Sequence, residues 1–203
     1  MKKAHLSKSM NVLLIALVIS FIPSTVYAHE GGNLPLGGFL SGLVHPVLGY
    51  DHLLAMLSVG ILSAQIGGRA IWTVPATFVG VMAFGGVLGI IDIGISITEI
   101  GIAFSLVILG SIIASERRLP IVLAMIGVGF FAIFHGYAHG TEMPQTAEPV
   151  TYAFGFLTGT ALIHIAGVLV GDISKRYQRG PQVLQVGGGF IAMVGLLFVF
   201  GII

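Results

Sequence analysis

Six apolar stretches, at residues 36–64, 71–91, 97–114, 119–140, 150–171 and 183–203, dictate the environment in which this chain folds. Each is close to the roughly 20 residues a helix needs to cross a bilayer, and only short connections separate them. Backbone in hydrocarbon must satisfy its own N–H and C=O groups, and the sequence lacks the alternation of a membrane barrel. The expected fold is therefore an all-α membrane protein with six transmembrane helices. Composition agrees, with 56% hydrophobic and 8% charged residues, against about 25% charged in a soluble domain. The 30 glycines suit helices that pack at close range. One echo among them, Gly38-Phe39-Leu40-Ser41-Gly42 against Gly155-Phe156-Leu157-Thr158-Gly159, is too short to establish a repeat.

Ahead of these stretches, Lys2, Lys3 and Lys8 precede an apolar run over residues 12–22, then Pro23 and the small-residue pattern Val26-Tyr27-Ala28. That order reads as a secretory signal peptide over residues 1–28, with a transmembrane domain over 29–203. The competing reading is an uncleaved first helix. Cleavage exposes His29-Glu30, an amine and imidazole able to chelate metal at an expectedly mobile terminus.

Charge then orients the chain. If it emerges outside before the first span, Arg69, Arg117, Arg118, Lys175, Arg176 and Arg179 all fall in cytoplasmic loops. The outer loops hold Asp92, Glu99, Glu142 and Glu148 and no Lys or Arg. This obeys the positive-inside rule and places the mature N-terminus outside the cytoplasm, in the periplasm of a bacterial inner membrane. The formal net charge is +1, from scattered residues, so no nucleic-acid footprint is present and the expected partner is the lipid bilayer. Association into a homo-oligomer is left open. The chain has no cysteine, which removes disulfides, thiolate metal sites and cysteine nucleophiles.

Against this background the segment HPVLGYDH, residues 45–52, is costly. Ionisable groups at bilayer depth cost roughly 2.5–3.5 kcal/mol each on insertion scales, which makes them functional candidates. On one continuous helix His45, Gly49, His52 and Met56 share a stripe, while Pro46 and Gly49 favour a kink that frees backbone oxygen nearby. Asp51 lies about 100° round such a helix from His52. It is then left to orient an imidazole from another helix, or to act as counter-charge.

The fourth stretch ends in FHGYAHGTE, residues 134–142, with His135 and His139 one turn apart and Glu142 a further turn on. Two imidazoles at that spacing grip one divalent ion. Gly136 replaces the glutamate of the HExxH protease signature, so the general base of that chemistry is missing. Both histidine pairs fall within roughly 10 Å of the outer surface, and they converge if the first and fourth spans are neighbours. The candidate metal ligands are His45, Asp51, His52, His135, His139 and Glu142, a set suited to first-row divalent cations. His164, deeper in the fifth span, is either a further station or a helix-to-helix hydrogen bonder. Glu99 reads as an interfacial residue or part of an entrance, and Glu142 and Glu148 as solvated loop carboxylates or cation attractors. Met56 reads as packing.

The signal peptide followed by His29-Glu30, HPVLGYDHLLAMLSVG over residues 45–60 and FHGYAHGTEMP over 134–144 together resemble the HupE/UreJ family of hydrogenase and urease accessory membrane proteins. The resemblance covers the mature chain in helix count and order. It implies a secondary permease for nickel, with cobalt proposed for some members, serving metalloenzyme maturation. It also implies functional roles for His45, Asp51, His52, His135, His139 and Glu142. Nothing in these motifs separates nickel from cobalt. On this reading the chain is not an enzyme and carries no prosthetic group; the metal is cargo. No P-loop is present, so the chain itself cannot hydrolyse ATP. Two other classes compete: an intramembrane zinc hydrolase with Asp51 or Glu142 activating water, and a haem carrier with histidine axial ligands.

Overall fold

The computed structural model describes residues 37–117 and 119–203. The signal peptide over 1–28, the His29-Glu30 pair and Arg118 lie outside the described residues. Within them the chain is helical throughout, with no strand: α1 (Gly37–Leu48), α2 (Tyr50–Ile66), α3 (Ala70–Ile90), α4 (Thr98–Ser115), α5 (Ile121–Thr141), α6 (Pro149–Ser174) and α7 (Gly180–Val199). The last five are each long and apolar enough to cross a membrane. Large apolar side chains such as Trp72, Phe84, Ile126, Phe130 and Phe154 are exposed on their outer faces, where acyl chains would cover them.

The first apolar stretch departs from expectation. In place of one helix it forms two, α1 and α2, bent by 83° at Gly49. Pro46 sits inside α1 as a buried residue, so the break is displaced from the proline to the glycine. Gly49 has φ −88° and ψ 112°, extended backbone, and its carbonyl accepts from Leu53 N at 2.9 Å to start α2. The stripe expected of His45, Gly49, His52 and Met56 on one straight helix therefore does not exist. A 12-residue α1 spans about 18 Å, too short to cross alone.

Helices pair where glycines allow it: α3 lies along α5, α4 along α7, and α6 along both α1 and α2. A Cβ on Gly136 would stand 2.1 Å from the Met82 carbonyl oxygen, and one on Gly85 2.5 Å from that of Ile133, so α3 and α5 touch backbone to backbone. The two echoing glycine motifs face each other in the same way, with a Cβ on Gly42 falling 2.2 Å from Tyr152 O and one on Gly155 2.1 Å from Phe39 O. Their likeness reflects a shared interface.

Both ends of the bundle are tied by polar contacts. Lys175 Nζ donates to the Ala64 carbonyl, joining the end of α6 to that of α2. At the opposite end Tyr137 donates to Asp92 Oδ1 at 2.9 Å and accepts from Gly94 N and Ile95 N at 3.1 Å each. That hydroxyl pins the α3–α4 connection onto α5 between His135 and His139. Glu148 caps α6, accepting from Val150 N at 3.1 Å and Thr151 N at 2.7 Å. The Thr151 hydroxyl leads a set of hydrogen bonds that hold its carboxyl below the usual carboxylate pKa. Its charge is engaged at the helix N-terminus, which accounts for it without a role as cation attractor.

Candidate metal site

His45 lies in the last turn of α1, His52 in the first turn of α2, and His135 and His139 in the last two turns of α5. Helices α2 and α5 share little backbone contact, since α5 packs chiefly on α3 and α2 on α6. The imidazoles nevertheless meet, because the bend at Gly49 turns the start of α2 into the bundle. Ring centroids lie 4.9 Å apart for His45 and His139, 4.7 Å for His139 and His52, and 4.9 Å for His52 and His135. The four rings form a chain between the ends of these helices.

These separations have a chemical meaning. With a metal–nitrogen bond near 2.1 Å, an imidazole centroid stands roughly 3.2 Å from its ion, so two ligands at 90–109° place their centroids roughly 4.6–5.3 Å apart. Adjacent rings already have that spacing. Their orientation is edge-to-face or tilted, and among the described residues no three histidine or carboxylate groups yet direct donors at one point.

Hydrogen bonds set the tautomers of neutral rings. Asp51 Oδ1 accepts from His52 N at 2.8 Å and lies 3.0 Å from His52 Nδ1. An ionised carboxylate only accepts, so a proton sits on Nδ1, and in the neutral ring Nε2 is the nitrogen with the bare lone pair. Ser105 Oγ donates to the Ile102 carbonyl at 2.6 Å and so accepts from His135 Nε2 at 3.1 Å, which leaves His135 Nδ1 bare. His45 Nε2 contacts Glu142 Oε2 at 3.0 Å. Glu142 stands just beyond α5. Burial raises its pKa, but the His45 hydrogen bond and the nearby His52 and His45 rings outweigh this and hold it below the ordinary value.

Among the described residues the nitrogens left over have no hydrogen-bond partner: His52 Nε2, His135 Nδ1 and both nitrogens of His139 are buried and unsatisfied. An unpaired buried polar atom costs about 1–3 kcal/mol, and native folds keep few without a reason. Four of them fall in three adjoining rings, which makes this cluster the candidate site.

All six candidate ligands from the sequence occupy this region, although Asp51 acts differently from expectation. It pairs with its own neighbour, because in the first turn of α2 its carboxylate folds back over the backbone N–H and ring of His52. Gly49 leaves room for that, since a Cβ there would lie 3.0 Å from Asp51 Oδ1 and 3.2 Å from His52 Nδ1. A cavity of about 280 Å³ is lined by Asp51 and Glu99 together with Ile100, Ala103, Phe198 and Ile203, so Glu99 stands on the same wall as the Asp51 carboxylate.

Several neighbours were not singled out from sequence. Phe156 stacks on His139 at 5.2 Å, Tyr152 sits 5.9 Å from His45 with its hydroxyl unpartnered, and Phe78 lies 5.4 Å from His135. Ser105 sets a tautomer from α4. Aromatic and hydroxyl residues are common in apolar helices, and no local motif distinguishes these from packing.

A family model described as HupE / UreJ protein matches residues 16–198. Protein HupE from Rhizobium leguminosarum bv. viciae is 42% identical over 181 residues, covering 89% of this chain and 93% of that relative. No solved structure matches the chain.

Proposed function

From the premise that this chain belongs to the HupE/UreJ family, we propose that it is a permease for Ni²⁺ or, as the alternative cargo, Co²⁺, supplying metal for enzyme maturation. Uptake runs from the periplasmic side of the bacterial inner membrane, with the bent pair α1–α2 counted as the first of six spans and the mature N-terminus outside. The observation that carries this reading is the row of buried imidazoles whose outward-facing hydrogen bonds leave a second nitrogen, on His52 and on His135, without a partner among the described residues.

The cation enters beside Asp51 and Glu99 on the cavity wall. Coordination by His52 Nε2 and His135 Nδ1, with His139 and His45 alongside, replaces part of its hydration shell. Asp51 and Ser105 hold the proton on the far side of each ring, as the outer partners of metal-ligating histidines do. His45 and Glu142 form the rim. The membrane potential drives entry, at about 2.3 kcal/mol per charge per 100 mV and so about double for a divalent ion. Transport is favoured over zinc-dependent hydrolysis because Gly136 stands where the protease signature carries its general-base glutamate.

Reconstitution into proteoliposomes tests this. Radiolabelled Ni²⁺ should accumulate under an inside-negative potential, and His52→Ala should abolish the flux while leaving a folded, monodisperse protein. Undiminished uptake by that variant would overturn the site.

A further inference from the structure

One histidine lies apart from the four-ring chain. His164 is in the middle of α6, 1% exposed, and neither of its ring nitrogens has a hydrogen-bond partner among the described residues. A histidine kept to bond one helix to another would show that bond. One kept for packing would be replaced at lower cost by leucine or phenylalanine, which desolvate no nitrogen.

Its surroundings connect it to the outer rings. The Phe78 ring, fully buried on α3, stands 5.1 Å from His164 and 5.4 Å from His135, so a single aromatic ring separates the two imidazoles. One turn from each of these residues come Thr160 on α6 and Met82 on α3, both fully buried, with the Thr160 hydroxyl 3.8 Å from the Met82 sulfur. A hydroxyl and a thioether thus lie on the same helix faces as His164 and Phe78.

Depth gives the arrangement its purpose. His135 is six residues from the outer end of α5, about 9 Å in, whereas His164 is 15 residues from the outer end of α6, about 22 Å in, and ten from its inner end. A divalent ion released from the outer rings faces the rest of an apolar bundle, where an uncompensated charge costs tens of kcal/mol. A donor near the middle divides that barrier.

We propose that His164 is a second, inner binding station for the transported divalent cation, reached by passing Phe78, with the Thr160 hydroxyl and Met82 thioether as the nearest accessory donors. This rests on the transport reading and extends it inward.

The test uses the full-length protein with Ni²⁺ as probe, comparing wild type, His164→Leu and His164→Met. Binding is measured in detergent by isothermal titration and initial uptake in proteoliposomes. His164→Leu should keep Ni²⁺ affinity at the outer site within about twofold and a thermal midpoint no lower than wild type, while uptake falls at least about tenfold. His164→Met, which restores a soft donor, should recover uptake at least about threefold over the leucine variant. Uptake by His164→Leu within about twofold of wild type overturns the inner station and leaves the transport reading intact. Loss of outer-site binding together with uptake in both variants overturns it by making His164 a structural residue. Absence of uptake by wild type overturns both the transport reading and this inference.

Discussion

Asp51 Oδ1 lies 3.0 Å from Nδ1 of His52, its neighbour in sequence, and the same oxygen accepts the His52 backbone N–H at 2.8 Å. Two adjacent residues on a helix normally diverge by about 100°. Here the helix begins at Tyr50, after an 83° bend, and a carboxylate in the first turn folds back onto the free N–H groups that every helix start presents. The imidazole is thereby held with its ring centroid 4.9 Å from that of His135.

Asp51→Asn keeps the shape and removes the charge that fixes this tautomer. Nickel affinity should drop about 10–100-fold, the range found when outer partners of metal-ligating histidines are lost. A titration giving wild-type affinity would show that the carboxylate does not orient the ring.

Gly49→Ala tests the same pair from the other side. The backbone at φ −88°, ψ 112° accepts any L-residue, so the effect comes only from the added methyl, placed 3.0 Å from Asp51 Oδ1. Nickel affinity should fall about tenfold with the thermal midpoint little changed. An equal loss of stability and binding would mean that the bend itself had failed.

Glycines of α5 and α3 should divide by what their missing Cβ would meet. Gly85→Ala forces a methyl to within 2.5 Å of the Ile133 carbonyl and should destabilise by about 1–3 kcal/mol. Gly127→Ala enters open space and should be neutral or stabilise by up to about 1 kcal/mol through helix propensity. Thermal or denaturant unfolding in detergent separates them, and matching midpoints would refute the backbone contact.

The link between His45 and Glu142 should respond to acid. Glu142 has its carboxyl pKa held below the ordinary 4.5, so its stabilising contribution is complete above that value and is lost as pH falls through the lower folded value. The midpoint difference between wild type and Glu142→Gln should shrink as pH falls below about 4.5. A difference independent of pH would show that the carboxylate is not held by the imidazole.

Much of the architecture was legible. The boundaries of α3 to α7 lie within a few residues of apolar stretches read from length and charge alone, because hydrocarbon thickness imposes helix length directly. The residues that cluster were legible too, since an imidazole or carboxylate inside an apolar run has few structural uses. Less visible was which face of each helix turns inward. Side chains exposed to lipid are as apolar as buried ones, so Phe78, Tyr152 and Phe156 carry no local mark that separates them from Phe84 or Phe154.

The sequence by itself determined an all-helical membrane chain with histidine pairs in its first and fourth apolar stretches. Only the tertiary structure decided that the first stretch breaks at Gly49, that Asp51 serves His52, and that rings from helices with little shared backbone contact come within 5 Å of one another. Spacing along a chain specifies relative direction only while one helix runs straight. Past a bend, and between helices distant in sequence, direction is set by which glycines let which backbones touch.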